Sequence, residues 1–144
     1  MRVLLIATDD TVTELDLPES AAHCAIRDHV GSADTVDQGL YHPRALLHVH
    51  GDGTATGLDG NLTAWALASA WRGMPLYPFR GHVVVTGRTP DGETSALDDT
   101  LAGHVHAVAQ TVDAGGWQAR PPASKEAGVR ELLAYVARDV DTDR

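Results

Sequence analysis

The sequence predicts one α+β domain, in which helices pack on a mainly antiparallel sheet and two further helices follow at the C-terminal end. Short β-branched runs occur in neighbouring pairs that are separated by turn residues, a pattern typical of hairpins. Other segments place apolar residues three or four positions apart, which is typical of amphipathic helices. With 144 residues, 43% of them hydrophobic, the chain is long enough to bury one core.

The N-terminal half is predicted to contain a hairpin, a helix and two further strands. Residues 1–8 and 12–17 are β-branched or alternating runs interrupted by two aspartates, so they predict the hairpin. Residues 19–30 predict the first helix, which buries Ala22, Ile26 and Val30 and stops at Gly31. Strands are then predicted over 36–41 and 45–49.

The second half is predicted to begin with a helix that follows Asn61, whose side chain can accept a hydrogen bond from a free backbone N–H as the N-cap. Residues 81–87 and 93–96 predict a second hairpin. Two helices complete the chain, the first capped by the Asp98–Asp99 pair and the second by Ser124. All strands are expected in one sheet, with one face left for the first two helices.

Composition restricts the function classes. The net charge is −9, so the clustered basic face that a duplex DNA binder needs is not expected. No run of about 18 apolar residues predicts a membrane span. A single cysteine, Cys24, cannot form an intramolecular disulfide, so a reducing cytoplasm is the expected compartment. A homo-oligomer is compatible with the sequence, and a protein is the expected partner.

The motif His48-Val-His50-Gly-Asp52 is the main candidate for chemistry. Residues two apart on a strand share a face, so two imidazoles could bind one metal ion. The motif partly resembles the His-x-His-x-Asp core of metallo-β-lactamase-like hydrolases, but Gly53 stands where that family has a further His. The alternative, which we favour, is that both histidines line the solvated face of the strand.

Other reactive side chains predict structural roles. His104 and His106 fall on a predicted helix, where a two-residue spacing places them on opposite sides. His104 is therefore expected at the edge of the apolar stripe and His106 on the surface. Cys24 is interpreted as a small core hydrophobe. No catalytic residue and no cofactor are predicted.

Aromatic and arginine side chains are concentrated between Trp65 and Arg80. Aromatic residues and arginines are frequent in the energetic centres of protein interfaces. We therefore take Trp71, Arg72, Tyr77 and Arg80 as the candidate binding residues. The alternative is that Trp65 fills the core and residues 74–79 form an ordered loop that packs back on the sheet.

Residues 1–100 resemble DUF3846, a family of domains of unknown function. The resemblance rests on the opening strand pair, the helix that ends at Val30-Gly31, the strand that closes at His50, and the segment Gly57-Leu-Asp-Gly-Asn61 before an alanine-rich helix. It ends with the strand 81–87 and its partner segment 92–97. The resemblance implies a protein of phages, plasmids or other mobile elements without an established enzyme activity. Residues 98–144 lie outside the resemblance and are expected to be a helical extension packed on the same domain. The predicted limits of the two parts, 1–100 and 98–144, overlap slightly.

Two functions are therefore predicted. The first is a non-enzymatic accessory binding protein of a mobile element, which acts on a host or element protein through an acidic face or the Trp71–Arg80 region. The alternative is a small metal-dependent hydrolase that uses His48, His50 and Asp52.

Overall fold

A computed structural model describes residues 1–31, 36–51, 58–114 and 125–140, the backbone alone being described for 125–129. It confirms the predicted α+β class, with an antiparallel sheet and two helices at the C-terminal end. The strands are β1 (Arg2–Ile6), β2 (Val12–Asp16), β3 (Val36–His42), β4 (Ala45–His50), β5 (Val83–Arg88) and β6 (Thr94–Ser95). The helices are α1 (Ala22–Val30), α2 (Leu62–Arg72), α3 (Asp99–Ala114) and α4 (Lys125–Val140), and a 3₁₀ turn, Glu19–Ala21, precedes α1.

The strand order in the sheet is β2-β1-β5-β4-β3, and every pair is antiparallel. Both predicted hairpins are present: β1 pairs with β2, and β6 pairs with the end of β5. The central strand β5 lies between β1 and β4, although it follows them in the chain after α2. The long connection through α2 therefore returns the chain to the middle of the sheet, and β5 is buried along most of its length.

Helices cover both faces of this sheet, so the expectation of a single helix-covered face is wrong. Leu4, Leu47 and Val85 point towards a core shared with α2, α3 and α4. Val3 and Val84 point the other way, into a smaller cluster with residues of α1. Alternation along a strand explains the division, because successive side chains point to opposite faces.

Helix α1 buries Ala22, Ile26 and Val30, as its apolar stripe predicts. Cys24 is exposed, so its assignment to the core is wrong. It is two residues from both Ala22 and Ile26, and two residues turn an α-helix by about 200°. The thiol therefore lies on the side of α1 that faces away from the sheet.

Asn61 is buried and joins three elements. Its Oδ1 accepts a hydrogen bond from the Ala64 N–H at 3.0 Å, which confirms the predicted N-cap of α2. Its Nδ2 also donates to the Ile6 carbonyl and to the Gly81 carbonyl, both at 2.9 Å. One side chain thus connects the end of β1, the approach to β5 and the first turn of α2.

The C-terminal helices close the larger core. Asp98 Oδ1 accepts from the Leu101 N–H at 2.8 Å, so Asp98 caps α3 as predicted. Leu132 and Val136 of α4 are buried in the same cluster as the sheet residues. The predicted cap Ser124 lies outside the described residues. Over the described ranges, no helix is both long and apolar enough to cross a membrane.

We expect Asn61→Ala to lower the free energy of unfolding by about 2–4 kcal/mol. The loss combines a helix cap worth about 1 kcal/mol with weakened bonding of two buried carbonyls. Asp98→Ala is the comparison, because Asp98 caps α3 with a half-exposed side chain whose other contact is a surface ion pair with Arg44; it should cost only about 0.5–2 kcal/mol. Urea unfolding monitored by circular dichroism measures both, and equal losses would show that the two donor bonds of Asn61 add nothing.

Candidate partner-binding surface

The loop between α2 and β5, residues 73–82, is fixed to α2 by hydrogen bonds. Gly73 ends the helix in the left-handed region (φ 71°), and the Met74 N–H donates to the Ser69 carbonyl at 3.1 Å. The Leu76 N–H donates to Ser69 Oγ at 3.2 Å, and the Trp65 indole N–H donates to the Leu76 carbonyl at 2.8 Å. The loop therefore has a defined conformation before any partner binds.

The far end of this loop pairs with the segment that leads into α2. The Asn61 N–H donates to the Phe79 carbonyl and the Gly81 N–H to the Asp59 carbonyl, both at 2.8 Å. Gly60 and Arg80 form the antiparallel bridge between these bonds. Paired residues share a side of such a ladder, so Asp59, Asn61 and Phe79 project to one side and Arg80 to the other.

A groove of about 630 Å³ lies along the Phe79 side of this ladder. Six of its lining residues are apolar: Leu62, Trp65, Pro75, Leu76, Pro78 and Phe79. The others are Thr8, Asp59, Gly60 and Asn61. We call this cavity the loop groove.

Large hydrophobic side chains are exposed beside the loop groove. Tyr77 is 92% exposed and Met74 is 56% exposed, and both belong to the α2–β5 loop. Leu40 of β3 is 45% exposed, and its carbonyl accepts a 2.6 Å hydrogen bond from Arg72 at the end of α2. Three of the four exposed large hydrophobic residues in the described chain therefore lie at this end of the molecule; the fourth, Tyr135, is on α4.

Arg72 and Phe79 are linked through Tyr41 of β3. The Arg72 guanidinium carbon lies 5.5 Å from the centre of the Tyr41 ring, and the Tyr41 and Phe79 rings meet edge to face with centres 5.6 Å apart. Burial raises the pKa of the Tyr41 hydroxyl, an effect that the Arg72 charge partly offsets. Phe79 is thus supported from behind by packed side chains, which fixes one wall of the loop groove.

Trp71 lies apart from the other predicted binding residues. Its indole N–H donates to His104 Nδ1 at 3.1 Å, and its ring centre is 5.2 Å from that of His42. These three side chains line a separate cavity of about 450 Å³ under α4. His104 is only 2% exposed, so its expected position at the edge of the apolar stripe is wrong, whereas His106 is exposed as predicted.

The predicted set Trp71, Arg72, Tyr77 and Arg80 is therefore divided by the fold. Tyr77 stands on the loop, Arg72 is engaged with β3, and Arg80 donates to the Leu58 carbonyl at 3.2 Å on the side opposite the loop groove. Sequence reasoning did not select Met74, Asp59 or the two prolines around Tyr77. The segment 74–79 was the available signal for these residues. Its sequence has neither helical nor strand periodicity, and it places Tyr77 between two prolines.

His48 is buried, so its expected place on a solvated face is wrong. It is 1% exposed, because α1 covers that face of β4. His48 Nε2 lies 2.8 Å from Thr86 Oγ1 in a buried hydrogen bond. Desolvation lowers the pKa of His48 to about 4, with a smaller contribution from the nearby His23.

The other two residues of the His-x-His-x-Asp motif do not complete a site in the described structure. His50 is half-buried at the end of β4, and Asp52 lies outside the described residues. Within the parts of the chain that are described, no three His, Cys, Asp or Glu side chains are placed to bind one metal ion.

Comparison with known proteins returns no relative: no family model matches the chain, and neither does any curated protein or solved structure.

The buried His48 predicts a pH dependence of stability. Its pKa of about 4 in the folded state is below the value of about 6.5 expected in the unfolded chain, so the unfolded chain binds the proton more readily. The neutral His48 ring therefore contributes its full stability above about pH 6.5. As the pH falls towards 4, the free energy of unfolding decreases by about 3 kcal/mol in total. Urea unfolding across this pH range measures the loss.

In His48→Gln this part of the pH dependence should disappear, whereas His106→Gln, at an exposed site, should keep it. Nuclear magnetic resonance titration of the His48 ring in the unmodified protein provides a second measurement. A His48 pKa near 6.5, or an unchanged pH slope in a folded His48→Gln variant, would contradict this account.

Proposed function

We propose that this chain is a non-enzymatic accessory protein that binds another protein through the α2–β5 loop and the loop groove. The observation that carries the proposal is the exposure of Tyr77, 92%, on a loop fixed to α2 by hydrogen bonds. Exposed aromatic side chains become strong contact points when a partner covers them. A loop that is ordered in advance also lowers the entropy cost of binding.

The neighbouring side chains support the same assignment. Met74 adds exposed apolar surface next to Tyr77, and a flexible thioether adapts to irregular partner surfaces. The groove beside them offers apolar walls formed by Trp65, Leu76 and Phe79. Exposed apolar side chains grouped with an apolar groove are typical of binding surfaces.

The biological setting that we propose is the cytoplasm of a host cell, with the gene carried by a phage, plasmid or other mobile element. The order of motifs similar to DUF3846 supports this setting. The net charge of −9 favours a protein partner over duplex DNA, because DNA binding requires several clustered cations. A metal-dependent hydrolase is less well supported, since His48 is buried beneath α1 and bonded to Thr86.

The test is affinity capture from a lysate of the native host with the whole protein as bait. A Tyr77→Ser/Met74→Ser variant should recover at least about tenfold less of the captured protein, as expected for aromatic contact residues worth more than about 1.4 kcal/mol. Tyr135→Ser is the matched control, because Tyr135 is exposed on α4 and belongs neither to the loop nor to the lining of the loop groove. Equal recovery by all three proteins would contradict the proposal, provided that their melting temperatures agree.

Salt dependence distinguishes the loop from an acidic face that imitates DNA. Raising the salt from about 0.1 M to about 1 M shortens the screening length from about 10 Å to about 3 Å. A complex centred on Tyr77 and Met74 should survive this change, whereas a complex formed by many exposed carboxylates should dissociate. The protein should also fail to shift bare duplex DNA in a mobility assay at physiological salt.

A further inference from the structure

We infer that the loop groove binds a peptide segment of the partner in which a Lys or Arg side chain stands next to a large apolar side chain. The inference rests on the proposed function and names the chemistry that the same surface recognises. It follows from two properties of the groove: apolar walls along its length, and an end where carboxylates are the available charged groups.

The walls determine the apolar half of the ligand. Trp65, Leu76 and Phe79 present ring and methyl surface, and Pro75 and Pro78 keep that part of the loop from donating backbone hydrogen bonds at their own positions. The cavity volume of about 630 Å³ is within the range of sites that enclose small ligands or a few side chains. A large apolar side chain would gain most by leaving water here.

The hydrogen-bonding groups determine the polar half. The Trp65 indole N–H is already donated to the Leu76 carbonyl, and the Asn61 amide group donates to the Ile6 and Gly81 carbonyls. Asn61 Oδ1 accepts from the Ala64 N–H. Of the described residues that line the groove, Asp59 alone is charged, and its side chain is exposed. A carboxylate accepts hydrogen bonds, so it selects a ligand that donates them and carries a positive charge.

Further carboxylates lie at the same end. Thr8, a lining residue, is followed by Asp9 and Asp10 in the β1–β2 turn. Hydrogen bonds from Thr11 to its side chain lower the pKa of the exposed Asp9, so this group remains ionised. Asp10 Oδ1 accepts from Thr63 Oγ1 at 2.8 Å, beside the first turn of α2.

The basic groups nearby do not cancel this charge within the groove. Arg80 projects from the opposite side of the 59–61/79–81 ladder and donates to the Leu58 carbonyl. His82 lies beside the β1–β2 turn, where its Nδ1 accepts a long hydrogen bond, 3.4 Å, from the Thr8 N–H. The positive end of the α2 dipole is already covered by the Asn61 cap and by Asp10 next to Thr63. A cation therefore meets a favourable field at the Asp59 end of the groove.

The test uses three probes that share a phenylbutyl group and differ in charge: 4-phenylbutylamine, 4-phenylbutanol and 4-phenylbutyrate. Each is titrated at neutral pH and low salt into the ¹⁵N-labelled whole protein, and binding is followed at the Trp65 indole N–H and the Leu76 amide. We expect all binding to map to the loop groove. The ammonium probe should bind about two- to fivefold more tightly than the alcohol, the range given by one exposed ion pair, and the carboxylate probe should bind most weakly.

Asp59→Asn keeps the size of the side chain and removes the one charge that lines the groove, so the preference for the ammonium probe over the alcohol should fall. Asp113→Asn is the matched control, because Asp113 is an exposed carboxylate on α3 and should leave the preference intact. Equal binding of the three probes, preference for the carboxylate probe, or chemical shift changes outside the groove would overturn the inference.

A second copy of the chain would show itself as shifts at Trp65 and Leu76 that depend on protein concentration without any probe, and this result would also overturn the inference. The proposed function fails separately. It is rejected if partner capture does not depend on Tyr77 and Met74, and it survives if capture depends on them while the probes show no preference for the cation.

Discussion

The buried amide of Asn61 holds together the part of the molecule on which the binding surface is built. Its three side-chain hydrogen bonds connect β1, the approach to β5 and α2, while its own backbone N–H bonds to Phe79. A buried amide that satisfies its donors and acceptor in this way fixes both distance and orientation, because each bond is directional. The α2–β5 loop begins at Gly73, at the opposite end of α2, and returns to this junction at Phe79 and Gly81, so the junction fixes its second half.

Helices cover both faces of the sheet, so a binding surface is expected at the ends of the helices and strands rather than on the sheet itself. With α1 on one face and α2, α3 and α4 on the other, most side chains of β4 and β5 are buried by packing, and His48 becomes a desolvated core residue. The surface that combines apolar exposure with a cavity is the α2–β5 loop. Leu76 and Phe79 of this loop pack against the core, whereas Tyr77 is 92% exposed and presents its ring to solvent.

Local signals in the sequence predicted most of the elements. Turn residues marked both hairpins, and Asn61 and Asp98 marked the starts of α2 and α3, because caps and turns depend on neighbouring residues. Long-range packing was not predictable in the same way. Cys24 was misplaced because its apolar character was given more weight than its position about 200° from the Ala22–Ile26–Val30 stripe. His48 was misplaced because alternation does not reveal that α1 covers its side of the sheet. The aromatic segment remains a predicted binding region, and the fold divides it, because Trp71 lines the cavity under α4 whereas Tyr77 stands on the α2–β5 loop.

Binding through Tyr77 depends on an α2–β5 loop that is ordered before it meets a partner. Hydrogen exchange of the Trp65 indole N–H and the Leu76 amide in the free protein measures this order, because these two groups form the bonds that hold the loop to α2. We expect exchange slower by at least about a hundredfold than in an unfolded chain, which corresponds to an opening free energy above about 2.7 kcal/mol. Exchange at the rate of an unfolded chain would contradict it.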